Sequence, residues 1–166
     1  MSRVHGFPPI ADRRASLLIL GSMPGRQSLE VGQYYAHPRN AFWPIIDCVF
    51  GIDRHLPYEA RCRGLRMQRI ALWDVLKTCN RPGSLDASIE PSSIVANDFA
   101  TFFAGHPGIR AVYFNGQMAE QAFRRHVLPD AGSSLPTLRL PSTSPANASY
   151  SFERKLAAWR VISGPD

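Results

Sequence analysis

The sequence predicts an α/β protein, a three-layer sandwich in which a central four-stranded parallel sheet is flanked by helices. Two observations carry this. First, four short apolar runs alternate with longer segments whose apolar residues recur at helical spacing, giving the order β-α-α-β-α-β-α-β-α. Near-continuous apolar strands separated by helices belong to parallel sheets covered on both faces. Second, each run leads into a turn rich in Gly, Pro, Ser, Asn or Asp: "GSMPG", "WDVLKTCNRPG", "FNGQ" and "PSTSPANA". In open parallel sheets ligands bind outside the carboxyl ends of the strands, so these turns mark the expected site. At 166 residues the chain is expected to form one domain, 1–166.

The elements follow in order. "SLLILG" (16–21) is a short apolar run ending in Gly, a buried strand. "AFWPIIDCVFG" has helical spacing, and Gly51 can terminate it. "PYEARCRGLRMQR" is a helix with a polar face. "IALWDVL" (70–76) is the second strand, and "CNRPGSLDASIEP" a loop dense in turn residues. In "SSIVANDFATFFAGHPG" the serines after Pro91 are expected to cap a helix that closes at Gly105. "IRAVYFNG" (109–116) is the third strand. "QMAEQAFRRHVLP" is a helix ended by Pro129, "LPTLRLPS" (135–142) the fourth strand, and "SPANASYSFERKLAAWRVI" a turn running into a C-terminal amphipathic helix.

With 45% hydrophobic and 19% charged residues the chain can bury a core. It has no apolar run long enough for a membrane span, and "MSRVHGFPPIADRR" has no signal-type apolar region. A cytoplasmic location is the expectation. Net charge is +6, and all but two of the 19 cations are Arg, which favours an anionic partner held through bidentate contacts. Cys48, Cys62 and Cys79 are widely spaced without a C-x-x-C pair, so neither a zinc site nor a Cys-only iron–sulfur cluster is expected.

Four turns carry the candidate chemistry. "GSMPG" (21–25) matches neither phosphate-binding glycine signature; its Gly permits close approach of a ligand, and an ordinary turn remains the alternative. "HPRNAFW" (37–43) places an amide two residues before a Phe-Trp pair, with Tyr34 and Tyr35 just upstream. Phe42 suits stacking on a base, although core packing explains either aromatic singly. Asp74, at a strand end among apolar residues, needs a partner. Asn115 before Gly116 reads as a ligand group or a helix cap, and the hydroxyl-rich "LPSTSPANAS" as a phosphate-binding turn or a Ser cap. No G-x-S-x-G occurs, and none of the five His has an evident nucleophile partner.

Taken together, these turns resemble the uracil-DNA glycosylase superfamily, and within it the hypoxanthine-DNA (deoxyinosine) glycosylase branch. The likeness runs from "LLILGSMPG" to the last helix. "GSMPG" with "YYAHPRNAFW" looks like that branch's first motif and is similar to the G-x-N-P-G and H-P-x-N-x-F-W segments of the mismatch-specific uracil glycosylases. "ALWDV…CNRPGSLDASI" resembles its second strand and loop, and "PSTSPANA" its second motif. The resemblance implies a monomeric, metal-free DNA glycosylase. A damaged base, hypoxanthine before uracil, is flipped from DNA and its N-glycosidic bond broken by water.

Residue by residue, the resemblance implies Asn40 and Asn115 as the catalytic amides. It implies Ser22, Met23, Tyr35, Phe42, Asp74 and Asn115 around the base, with Phe42 as stacking platform. Pro24, Gly25, Arg39, Ser142, Thr143, Ser144, Ala146 and Asn147 would meet the DNA. Three departures matter. Met23 stands where most relatives place a water-positioning Asp or Asn. Asp74 stands where relatives carry a base-reading Asn; ionised, it accepts from a ring N–H and rejects a base with only an acceptor there. Ala146 stands where relatives carry a Leu wedge. A Schiff-base route needs an amine, and of the two lysines only Lys77 lies near a strand end. The competing readings are a nucleic-acid-binding module of the same fold that lacks catalysis, with Met23 as its support, and an unrelated doubly wound hydrolase of small molecules.

Overall fold

The computed structural model describes residues 3–131 and 134–164. Seven strands and seven α-helices follow in order among these residues. They are β1 (Arg3–His5), β2 (Leu17–Gly21), α1 (Arg26–Val31), α2 (Phe42–Phe50), α3 (Tyr58–Met67), β3 (Ile70–Asp74), β4 (Leu76–Asn80), β5 (Val95–Ala96), α4 (Phe99–Gly105), β6 (Ala111–Asn115), α5 (Gln117–His126), α6 (Leu128–Ala131), β7 (Thr137–Leu140) and α7 (Phe152–Trp159).

The main sheet has four parallel strands in the order β3-β2-β6-β7, as the alternation of apolar runs and helices predicts. Side chains of successive strand residues point to opposite faces, and the core divides accordingly. Leu18, Leu20, Ala71, Trp73, Val112 and Phe114 pack against Phe99 and Phe102 of α4 and Phe123 of α5. Ile19, Ile70 and Leu72 pack on the other face, against Phe42, Ile45 and Ile46 of α2, Leu65 of α3 and Trp159 of α7. Both faces of β2 are covered, which is why its run reads as continuously apolar. Each fully buried Phe, Ile or Leu contributes about 1.5–3 kcal/mol of transfer free energy. α2 ends as its sequence predicts, at Gly51 in the left-handed conformation (φ 72°), whose N–H donates to the Asp47 carbonyl.

Three boundaries differ from the sequence reading. Residues 70–76 are not one strand. Gly21 pairs with Asp74, the Val75 and Leu76 amides donate to the Gly21 and Ser22 carbonyls, and the chain then leaves the sheet. It continues as β4, antiparallel to β1 and β5 in a second, three-stranded sheet. The serines after Pro91 do not cap a helix. Ser93 Oγ accepts the Asn80 amide and donates to the Glu90 carbonyl, closing the loop after β4. α4 is capped instead by Asp98, whose carboxylate accepts the Thr101 amide. Pro129 does not end α5, which stops at His126; Pro129 lies in the first turn of α6, where its missing N–H is tolerated. β1 and α1 are additional to the sequence reading.

The register aligns the site. Leu20 pairs with both Trp73 and Phe114, so Gly21, Asp74 and Asn115 come level at one rim of the sheet.

Candidate active site

A cavity of about 1250 Å³ opens at that rim. All four sequence-predicted turns reach it, through residues such as Ser22, Asn40, Asp74, Asn115 and Ser142.

The floor is built around Gly21. A Cβ there would fall 2.5 Å from Asp74 Oδ1 and 2.8 Å from the Tyr35 hydroxyl, so only Gly lets both groups converge on this point. Asp74 is 3% exposed, and its Oδ2 has no hydrogen-bond partner. Burial pushes its carboxyl up to about 7; the charge of Asp86 adds to this and Arg81 opposes it. The Tyr35 hydroxyl is also buried without a completed hydrogen bond, although it lies close to the Asn115 carboxamide. Burial and then the Asp74 charge push the phenol upward, so it stays a protonated donor. Two buried polar atoms, an acceptor and a donor, thus lack a completed hydrogen bond in residues that line the same cavity.

Tyr35 takes an unfavourable backbone conformation to get there, with φ 56° in the left-handed region. Its ring stacks on Phe42 at 4.2 Å between centroids and 24° between planes. Phe42 is fully buried, is packed edge-on by Trp43 and Trp159, and is not part of the cavity wall. The exposed-platform role expected of Phe42 is therefore corrected: Tyr35 covers it, and Tyr35 presents the aromatic face. Tyr34 is buried, with its hydroxyl donating to the Pro8 carbonyl.

Asn40 lines the cavity at the entry to α2. Its Oδ1 accepts the Phe42 amide at 2.9 Å, an Asx turn that leads into the helix and fixes the carboxamide with its NH₂ left over. Asn115 is pinned at both ends: Nδ2 donates to Thr143 Oγ1 and Oδ1 accepts the Thr143 amide, each at 2.9 Å. Thr143 is fully buried, and its carbonyl accepts the Ala41 amide. Expected to meet DNA, Thr143 is instead consumed in tying the β6, β7 and α2 ends together.

The turn after β7 orders itself. Ser142 Oγ accepts the Ser144 amide, Ser144 Oγ accepts the Ala146 amide, and Asn147 Nδ2 donates to the Ser142 carbonyl. From beneath, buried Lys155 donates Nζ to the Ser144 carbonyl, and burial lowers its pKa. Met23 is 7% exposed at the edge of the core, is part of the cavity wall, and has its sulfur close to Gly6. Pro24 is buried, Gly25 opens to space, and exposed Arg39, like Arg26, is part of the cavity wall. Lys77 is exposed on β4 and is not part of the wall.

The sequence reading placed the loop after β4 at the rim but named none of its residues in the site. Arg81 is 2% exposed; its Nη2 donates to the Pro24 carbonyl at 2.7 Å and its Nε to the Gly83 carbonyl at 3.1 Å. Ser22 Oγ donates to Asp86 Oδ1 at 2.7 Å, and the Arg26 amide to Ser84 Oγ at 2.9 Å. The available signal was an Arg and an Asp inside a turn-rich stretch, which local reasoning assigns to solvent. Among the described residues, no group of three or more His, Cys, Asp or Glu is arranged to hold a metal ion, and no helix is long and apolar enough to cross a membrane.

The family model described as the uracil DNA glycosylase superfamily matches residues 8–163. A hypoxanthine DNA glycosylase from Methanosarcina acetivorans is 35% identical over 95% of this chain and 96% of its own length. One from Methanosarcina barkeri is 39% identical over 68% of this chain and 71% of its own. A solution NMR structure from Methanosarcina acetivorans, provisionally named a uracil DNA glycosylase, superposes with a TM-score of 0.81 at 34% identity. That match covers 97% of this chain and 96% of the other.

Proposed function

The chain belongs to the uracil DNA glycosylase superfamily, and from that premise we propose that it is a monofunctional DNA glycosylase. It hydrolyses the N-glycosidic bond of a deaminated base flipped from DNA, hypoxanthine in preference to uracil, and leaves an abasic site. Relatives named hypoxanthine DNA glycosylase that align along most of the chain support the substrate class. In this reading the enzyme works as a cytoplasmic monomer without a cofactor.

The observation that carries the reading is the pair of unpartnered buried groups over Gly21. Deaminating adenine turns an acceptor nitrogen and an amino donor into a ring N–H and a carbonyl. Ionised Asp74 accepts the N–H, and the Tyr35 hydroxyl donates to the carbonyl. Adenine presents the reverse pattern and leaves both buried groups unpaired, which is how a polar site rejects an analogue. Uracil shares the hypoxanthine pattern, and a cavity of about 1250 Å³ has room for the bicyclic base.

Bond cleavage passes through an oxocarbenium-like state that needs little nucleophilic push. It needs an oriented water and donors on the departing base. The Asn40 NH₂, fixed by the bond of its own oxygen to the Phe42 amide, orients the water. The Tyr35 hydroxyl stabilises negative charge on the base oxygen as the bond breaks. Asn115 holds the Thr143 loop against the sheet end and borders the base. Arg26 and Arg39 at the mouth attract phosphates. No lysine in the cavity wall is placed for a Schiff base.

Met23 supports a second reading, a DNA-binding module without turnover, because a thioether cannot polarise water. The test is cleavage of labelled duplexes carrying one hypoxanthine, uracil or xanthine, with alkali to cut abasic sites. Wild type and Asn40→Ala run side by side. Release of hypoxanthine by wild type alone supports the proposal. Release of uracil alone retains the enzyme class and overturns the base preference. Salt-sensitive binding without release overturns the enzyme reading in favour of the module.

A further inference from the structure

Extruding a nucleotide leaves a gap in the base stack and costs a few kcal/mol of unstacking. An apolar side chain that is exposed in the free protein, stands beside the receiving pocket and is rigidly mounted offsets that cost by filling the gap. Ala146, the position that the second motif assigns to this task, offers one methyl group.

Leu85 meets all three conditions. It is 56% exposed and lies on the wall of the cavity. Its two neighbours are tied to the turn after β2, Ser84 by the Arg26 amide and Asp86 by the Ser22 hydroxyl. Arg81, four residues back, fastens the base of the loop through the Pro24 and Gly83 carbonyls. Burying a guanidinium without a carboxylate on it is unfavourable, and here that guanidinium serves to hold the loop against the rim. Across the mouth, Tyr150 is 36% exposed, and its ring carries the Arg154 guanidinium at 4.2 Å.

From this geometry we infer that Leu85 is the wedge that enters the stack when the target base leaves it. The inference rests on the glycosylase reading above. Leu85 acts on extrusion and not on bond cleavage, so it matters only where a base must be pulled from a paired stack.

The test uses single-turnover release of hypoxanthine from one oligonucleotide, as a duplex opposite cytosine and as a single strand. Wild type, Leu85→Ala, Leu85→Met and Tyr150→Ala are compared. Leu85→Ala is expected to lose about ten-fold or more on the duplex and less than about two-fold on the single strand. Leu85→Met, which keeps an apolar chain of similar volume, stays within about three-fold on both. With 2-aminopurine beside a target hypoxanthine, wild-type binding unstacks the probe and raises its fluorescence, and Leu85→Ala binding does not. Equal losses on both substrates, no loss on either, or a duplex-specific loss in Tyr150→Ala but not in Leu85→Ala overturns the assignment. A wild type that releases neither hypoxanthine nor uracil from either substrate overturns the glycosylase reading and this inference together.

Discussion

Replacing Asp74 by Asn probes the base-reading pair through stability and catalysis at once. The Asp74 carboxyl is 3% exposed and is pushed from 3.8 to about 7, first by burial and second by Asp86. Between those two pH values the folded protein holds a proton that the unfolded chain has released. Stability therefore falls as pH rises through this window and levels off above about 7. At 1.36 kcal/mol per pH unit the full penalty above pH 7 is about 4 kcal/mol. Water in the open cavity screens the charge, which brings the expected figure to about 2–4 kcal/mol. Asn is isosteric and neutral, so Asp74→Asn should stabilise by that amount at pH 8, raising Tm by about 5–10 °C for a chain of this size. At pH 4 the folded carboxyl is already protonated, and the gain should shrink below about 1 kcal/mol. Wild-type hypoxanthine release should climb as pH rises toward about 7, where Asp74 becomes an ionised acceptor. The Asn variant keeps the same acceptor at every pH, so its profile should be flat. Urea unfolding at both pH values, with kcat/KM profiles alongside, makes the comparison. A stabilisation of equal size at pH 4 and pH 8, or a loss of stability at pH 8, would refute the reasoning.

The remaining predictions are simpler. Gly21→Ala puts a methyl group between Asp74 Oδ1 and the Tyr35 hydroxyl; kcat/KM for hypoxanthine should fall at least about hundred-fold, from the loss of two buried hydrogen bonds to the base, read by single-turnover release. Asn40→Ala should lose at least about hundred-fold in turnover while its Kd for damaged DNA, measured by fluorescence anisotropy, stays within about three-fold. The lost hydrogen bond to the Phe42 amide should lower stability by about 1 kcal/mol. Asn115→Ala breaks both bonds to Thr143 and should cost about 2–3 kcal/mol in urea unfolding, with Thr143→Val, which removes only one, costing about half as much.

Much of this architecture is local and therefore written in the sequence. Leu17 to Gly21 and Ala111 to Asn115 are short apolar runs before Gly-rich turns, and a chain with that pattern has few alternatives to a covered parallel sheet. Gly51 closes α2 because the left-handed conformation favours it. The four carboxyl-end turns came together at one rim because parallel strands in register leave no other arrangement.

What tertiary structure alone decided are the pairings between segments distant in the chain. Nothing near Phe42 in the sequence says that Tyr35, at φ 56°, lies across its ring. The apolar run 70–76 carries no mark that the chain departs after Asp74, because that departure depends on the amides of Val75 and Leu76 finding the end of β2. Thr143 reads as a surface hydroxyl until Asn115 consumes it. The loop with Arg81, Leu85 and Asp86 reads as solvent-exposed turn until the turn after β2 supplies acceptors and donors to hold it over the cavity. Periodicity reports which face of a segment is buried. Hydrogen-bond partners 28 to 64 residues away lie beyond its reach, and they determine which polar groups remain free to meet a base.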